Sequence, residues 1–348
     1  MTTEPSGSGV IPRTALRALS FSRISGLYVW VLLFVIFSLW VPSTFLTGTT
    51  WTGLLSSQAV TAMVTLSLML PLVAGAYDLS AAQVVGMSAA FAAYLTHHGF
   101  GSTTAIVFGL LAGVAVGVFN AGLIVGLGVN SFIATLGTSS ILMAVTGILT
   151  ADEEIVGVPS GLQSFGSREI IGVAIPVWYL IIMALIVAYV LERAPFGRYL
   201  FAIGHGREAA RLAGVRTNFC TTISLIMCSL GSAFAGVVLL GRIGSAEPDL
   251  GTSYLLPAYA AAFLGATQFT RRVNVPGALV ATYLLATGIT GLQLAGAASW
   301  IQNMFYGVAL LAAVALSLHE GRLPPLRRSV RAKKAADRGP PNAPRPDE

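Results

Sequence analysis

The stretch Pro195–Asn218, PFGRYLFAIGHGREAARLAGVRTN, is a long charged segment in an otherwise apolar chain, and it decides how the rest is read. It carries Arg198, Arg207, Arg211 and Arg216 against a single acid, Glu208. Within it, Arg207-Glu208-Ala209-Ala210-Arg211-Leu212-Ala213-Gly214 has the spacing of a short amphipathic helix. Ala209, Leu212 and Ala213 fall at i, i+3 and i+4 and share one face. Glu208 and Arg211 stand one turn apart, where opposite charges pair. Gly214 is a natural stop. Small alanines on the apolar face let the surface of another protein approach the backbone. A solvated basic loop lying on anionic lipid is the alternative that the loop alone leaves open.

Outward from this loop the chain is oily. Of its 348 residues 55% are hydrophobic and only 10% charged, and the mean hydropathy is +0.78. Soluble domains carry about 25% charged residues, so the composition predicts an all-α, polytopic membrane helical bundle. Apolar segments fall near 26–41, 54–75, 80–96, 104–127, 131–150, 172–191, 218–240, 254–267, 275–294 and 299–318. A spanning helix needs about 20 such residues, so about ten transmembrane helices are expected, with 80–96 and 254–267 the shortest. The charges then sort by side. Arg13, Arg17 and Arg23, the five arginines of 192–217, Arg271 and Arg272, and the eight Lys/Arg after His319 share one side; of the 20 Lys and Arg only Arg168 and Arg242 fall opposite. The acids Asp152, Glu153, Glu154, Glu169, Glu247 and Asp249 join that opposite side. The positive-inside rule puts both termini and the loop 192–217 in the cytoplasm. The net charge of +6 therefore reports membrane sidedness, not a nucleic-acid partner. Residues 1–23 lack the apolar core and cleavage site of a signal peptide and read as a cytoplasmic leader, 24–318 as the membrane domain, and 319–348 as a disordered basic tail. Cys220 and Cys228 lie about 12 Å apart along one helix, too far to bridge.

At this point the residues suggest a family. A Gly, then Glu208-Ala209-Ala210, then Gly214 in a cytoplasmic loop resembles the coupling helix of ABC importer permeases, which docks on a separate ATPase subunit. The flanking Phe196-Gly197-Arg198-Tyr199, Ala202-Ile203-Gly204 and Ala213-Gly214-Val215 are similar to the ribose/xylose/galactose (monosaccharide) permeases, within the branched-chain amino acid permease-like superfamily. Val129-Asn130-Ser131-Phe132-Ile133-Ala134-Thr135-Leu136-Gly137 resembles the Asn-x-Phe-Ile-Ala-Thr-Leu run of that group. Arg242-Ile243-Gly244-Ser245-Ala246-Glu247-Pro248 resembles its Arg-x-x-Ser-Ala-x-Pro segment. The likeness covers roughly residues 50–318. It fails in one place. Where the group has a Gly-rich loop, this chain reads Leu264-Gly265-Ala266-Thr267-Gln268-Phe269-Thr270-Arg271-Arg272-Val273-Asn274-Val275-Pro276-Gly277.

The resemblance implies ATPase coupling through Arg207, Glu208, Ala209, Ala210 and Gly214. It implies a cytoplasmic ABC ATPase, an extracytoplasmic substrate-binding protein and a second permease copy, identical or a close paralogue, as partners in the bacterial inner membrane. Asp78, Asn120, Asn130, Phe132 and Thr135 are candidates for the translocation path. Hydroxyls, amides and aromatic faces suit a sugar, and helix–helix packing is the alternative for each of them. Between Arg23 and Asp152, Asp78 is the sole charged residue. It precedes Ser80-Ala81-Ala82-Gln83, a capping-box pattern. Two readings stand: Asp78 and Ser80 cap a helix at the cytoplasmic surface, or Asp78 marks a break in the helical path near the translocation route. The loop 151–170, with Asp152-Glu153-Glu154, and the loop 242–253 are expected outside, where a binding protein docks. Gly122-Leu123-Ile124-Val125 before Ser131 echoes Gly291-Leu292-Gln293-Leu294 before Ser299, in segments of opposite orientation, as an inverted repeat requires.

No Gly-x-x-x-x-Gly-Lys-Ser/Thr motif occurs, so ATP is not cradled by that route, and no cofactor or metal site is expected in this chain. No Ser/His/Asp constellation stands out, which argues against an enzyme. The expected function is a permease subunit for a monosaccharide or similar solute. A permease for branched-chain amino acids is the near alternative. An ion-coupled secondary transporter is the distant one, since it would show more intramembrane ionisable groups.

Overall fold

The computed structural model describes residues 25–269 and 272–319. The expected leader, Arg271 and the tail beyond His319 lie outside the described residues. The chain folds as α1 (Ser25–Trp40), α2 (Pro42–Phe45), α3 (Gly48–Val73), α4 (Ala81–His97) and α5 (Ser102–Ala121), which widens into a π-helical turn over Gly122–Gly126. There follow α6 (Ser131–Thr150), β1 (Ile155–Val156), α7 (Ser160–Ser167), β2 (Glu169–Ile170), β3 (Val173–Ala174) and α8 (Ile175–Glu192). Next come α9 (Pro195–His205), α10 (Arg207–Leu212), α11 (Thr217–Ile243), β4 (Ser245–Ala246), α12 (Thr252–Ala266), α13 (Val275–Leu294) and α14 (Trp300–His319). A helix coincides with every apolar segment of the sequence. By length and composition, α3, α5 with its π turn, α6, α8, α11 and α13 are the six candidates to cross a membrane. α4 and α12 are shorter, with 17 and 15 residues, which reach about 25 Å and about 22 Å against a hydrocarbon core of about 30 Å.

α3 starts at Gly48, ahead of the apolar run, because the Thr47 side chain accepts the Thr50 N–H and caps it. Nearly all of α3 from Ala59 onward is buried, and it packs on α11, α8, α12 and α13. α11 in turn packs on α5, α4 and α7. At the α5–α11 seam there is no room for side chains. A Cβ on Gly117 would stand 2.7 Å from Ile226 Cα, and one on Gly113 would strike Ala233. Without a hydrophobic drive between helices in lipid, such close backbone contact is what holds them.

The order of elements recurs. α3, with 26 residues, ends at the left-handed Gly75 (φ 76°), and after a gap the short α4 begins. α11, with 27 residues, ends at the left-handed Gly244 (φ 78°), and after a gap the short α12 begins. Each short helix packs on the two helices that follow it, α4 on α5 and α6, α12 on α13 and α14. A left-handed glycine, Gly128 or Gly296, stands in each final connection. The loops that follow α6 and α11 are joined by an antiparallel pairing of Ile155 with Ala246 and Val156 with Ser245, so the two segments expected to meet a binding protein are one surface feature.

Candidate functional site

The charged loop folds as its spacing predicts. α10 is a six-residue helix, and Arg211 Nη2 lies 2.9 Å from Glu208 Oε2 in an exposed ion pair. Gly214 takes φ +84°. The Val215 N–H donates to Ala210 O and the Gly214 N–H to Arg211 O, both at 3.0 Å, which is the Schellman closure of a helix end. Arg207 Nη2 donates to Asn218 Oδ1 at 2.9 Å and ties the start of the helix to the start of α11. Ala210 turns inward at 5% exposure. Ala209, Leu212 and Ala213 face outward, and Leu212 is 83% exposed. The helix is thus seated through Ala210 and the Arg207–Asn218 bond, and its apolar face is uncovered among the described residues.

The second cluster surrounds the interruption between α3 and α4. A non-helical backbone inside a bundle must find partners for every N–H. Here each is satisfied in turn. Gly75 N–H donates to Leu72 O (3.0 Å) and Ala76 N–H to Pro71 O (2.9 Å). Tyr77 N–H donates to Ser131 Oγ (3.1 Å), Asp78 N–H to the Tyr259 hydroxyl (3.0 Å), and Leu79 N–H to Thr135 Oγ1 (3.0 Å). Ser80 N–H donates to Asp78 Oδ1 (3.1 Å). From there a chain of side chains runs across the bundle. Ser80 Oγ donates to Asp78 Oδ1 (2.6 Å), Asn120 Nδ2 donates to Ser80 Oγ (2.8 Å), and Thr138 Oγ1 donates to Asn120 Oδ1 (2.7 Å). Asp78, Ser80, Asn120 and Thr135 are all buried, and the Cys228 thiol lies near the Asp78 carboxylate. Asp78 Oδ2 has no hydrogen-bond partner.

This corrects the surface-capping reading of Asp78. At 1% exposure the carboxylate is inside the bundle. The capping box does not form either: Ser80 makes no side-chain cap, because its hydroxyl is committed to Asp78, and Gln83 Nε2 turns to Thr252 instead.

The remaining candidates sit on the outer face of the same layer. Asn130 Oδ1 accepts the Phe132 N–H at 3.0 Å and caps α6. Phe132 is half exposed, whereas Thr135, one turn on, is buried. The structure therefore brings Asp78, Asn120 and Thr135 into one buried network and leaves Asn130 and Phe132 on the uncovered side of α6. Ser131, Thr138 and Tyr259 complete the network without having been singled out, and Ser80, read from the sequence as a cap, joins it instead through Asp78 and Asn120. Ser80 and Ser131 stood inside quoted motifs. Thr138 was legible as the residue one turn after Thr135. Tyr259 had no signal, since its partner is 181 positions away.

Between residues 50 and 314 the sequence matches the family described as "Branched-chain amino acid transport system / permease component". The chain belongs to that family. Among curated relatives, it is 31% identical to the ribose import permease protein RbsC of Bacillus subtilis, over 84% of this chain and 90% of the relative. It is 31% identical to the autoinducer 2 import system permease protein LsrD of Salmonella paratyphi B, over 75% and 82%. It is 27% identical to the D-allose transport system permease protein AlsC of Escherichia coli, over 86% and 92%. No solved structure matches. Membership gives the chain a transport role in a membrane, not a catalytic one.

Proposed function

We propose that this chain is the transmembrane permease subunit of an ATP-driven ABC importer that brings a monosaccharide or similar small polar solute into a bacterial cell across the inner membrane. A separate ATPase docks on α10 from the cytoplasm, an extracytoplasmic binding protein delivers the solute, and a second permease copy completes the route. The observation that carries the reading is α10 itself: a capped helix, anchored through Ala210, whose apolar face has no cover among the described residues, in a family whose relatives carry import names. Arg207, Glu208, Ala209, Ala210 and Gly214 form the coupling unit. Asn130 and Phe132 line the route from α6. Asp78, Asn120 and Thr135 hold the interrupted helix that stands beside it. Ten crossings, with both termini inside, agree with the distribution of Lys and Arg. The recurring order of α3–α6 and α11–α14 supports an inverted repeat, in which short helices begin at breaks within the membrane. Residues 24–318 are the permease domain on this reading.

The test is capture of the ATPase on gentle solubilisation from the native host. Wild type retains a Walker-motif ATPase, and Leu212→Glu loses it while its yield in the membrane is unchanged. An unaltered complex in Leu212→Glu would overturn the docking role of α10. The family description favours one rival substrate class. Uptake driven by the captured complex is competed by D-ribose or D-allose on the sugar reading, and by leucine on the branched-chain amino acid reading. Collapse of uptake by a protonophore at constant ATP would support a gradient-driven carrier instead.

A further inference from the structure

α9 is a helix laid against the ends of others. Its buried face is Gly197, Leu200 and Ile203. A Cβ on Gly197 would strike the carbonyl oxygens of Val190 and Leu191, at the end of α8. A Cβ on Gly204 would strike the carbonyl oxygen of Val73, the last residue of α3. Backbone therefore rests on backbone at both contacts, with no side chain to yield between them. Val73 leads directly into the break whose N–H groups are held by Ser131, Tyr259 and Thr135. A displacement of Gly204 pushes on the start of that break.

One turn before Gly204, Phe201 meets a second partner. The guanidinium carbon of Arg272 lies 5.0 Å from the centre of the Phe201 ring, within cation–π range. Arg272 belongs to the connection between α12 and α13, where the Gly-rich pattern of the sugar permeases is lost. That connection is tied down by a buried amide. Asn274 Nδ2 donates to Arg272 O (2.7 Å) and Gln268 O (3.1 Å), and Asn274 Oδ1 accepts from Gly277 N–H (2.7 Å). The backbone of Arg272 is thus held by the Asn274 amide. At its C-terminal end α9 passes through an extended Gly206 into α10.

We infer that α9 is the lever that carries movement of the docked helix α10 to the break at Asp78, with Gly204 as its bearing on α3 and Phe201–Arg272 as the clamp that keeps it seated. Phe201 and Arg272 are positioning residues on this assignment, and the assignment rests on α10 being the ATPase dock.

Cys228 reports on the break, because its thiol lies beside Asp78 and is fully buried. The experiment uses the full chain in a Cys220→Ser background, co-expressed with its ATPase in membrane vesicles. The rate of Cys228 labelling by N-ethylmaleimide is compared without nucleotide and after trapping with ATP and vanadate. Wild type shows a nucleotide-dependent change in rate. Phe201→Leu and Arg272→Gln retain the ATPase but shrink that change by roughly two- to fivefold, the reach of a surface cation–π contact. The double variant is no worse than either single one, because both remove the same contact. A wild-type rate indifferent to nucleotide, with the ATPase captured, overturns the lever, as does an undiminished response in both single variants. Failure of wild type to hold any ATPase overturns the docking reading instead.

Discussion

Ser80 is the hinge pin of the buried network because its single hydroxyl serves two neighbours. It donates to Asp78 Oδ1 and accepts from Asn120 Nδ2. Its removal leaves a carboxylate oxygen and an amide hydrogen without that partner in a place that water does not reach. An unsatisfied buried polar group costs about 1–3 kcal/mol. Ser80→Ala is therefore expected to lower the thermal midpoint of the detergent-solubilised protein by several degrees. Ser80→Thr, which keeps the hydroxyl, recovers much of the loss. A midpoint in Ser80→Ala equal to wild type, read by the temperature dependence of the size-exclusion peak, would show that the hydrogen-bonded chain adds nothing to stability. The sequence singles out Asp78, Asn120 and Thr135 one by one, as polar residues where an apolar bundle is expected. It does not reveal that Ser80 links Asp78 to Asn120 or that Thr135 holds the neighbouring Leu79 N–H. Nor does it reveal that Thr135 and Ser131 are partners for backbone N–H groups, because that demand arises only once α3 and α4 are seen to be separated by a break, with α4 packed against α6.

At the scale of elements, the glycines of α5 and α6 have different fates. Gly109, Gly113 and Gly117 on α5 are pressed into α11, and Ile226 Cα would lie 2.7 Å from a Cβ on Gly117. Gly137 on α6 has nothing within 4 Å of the same position. It stands among Phe132, Ile133, Leu136 and Ile141, all at least 47% exposed. Side chains forced into a packed seam cost about 1–3 kcal/mol, so Gly117→Leu is expected to destabilise the protomer and lower its yield in the membrane. Gly137→Leu has no internal clash to suffer. If α6 meets the second permease copy across this face, Gly137→Leu leaves the melting behaviour of the protomer intact and shifts the complex toward a single permease in native mass spectrometry. A complex that keeps two copies in Gly137→Leu would place the second copy elsewhere. The helices themselves were readable from apolar run length alone. Their ends were not: α3 reaches back to Gly48 through its Thr47 cap, and the small elements α2, α7 and the β1–β4 pairing carry too few residues for a periodic signal.

At the scale of the molecule, the open quantity is how many helices cross. Charge sidedness argues for ten, yet among the described helices only six meet the length and apolarity of an ordinary span. Four of the ten expected helices fall outside that set: α1, α14 and the short α4 and α12. α4 and α12 each begin after a left-handed glycine and a non-helical connection, Gly75 and Gly244 respectively, and at the first of these the N–H groups of Tyr77, Asp78 and Leu79 are taken by the side chains of Ser131, Tyr259 and Thr135. On the ten-crossing reading α4 and α12 cross as shortened helices beside such breaks. The charges could not resolve this unaided, because residues 24–151 contain Asp78 and no other charged side chain. Phe100 and Leu127 bracket α5, are 51% and 75% exposed, and decide the matter together with Val156 and Leu212. Single cysteines at these positions, in a Cys220→Ser, Cys228→Ser background, are treated on intact spheroplasts with a membrane-impermeant maleimide. With α4 crossing, Phe100→Cys and Val156→Cys react at once, while Leu127→Cys and Leu212→Cys react only after permeabilisation. If α4 dips in and returns to the same side while the leader stays inside, one crossing is lost and all four labels exchange. That outcome would remove α4 from the count and, through the matching order of α11–α14, put α12 in the same doubt. The first outcome makes α4 a crossing and puts the break at Asp78 on the cytoplasmic side, next to α9 and α10, the proposed dock for the ATPase.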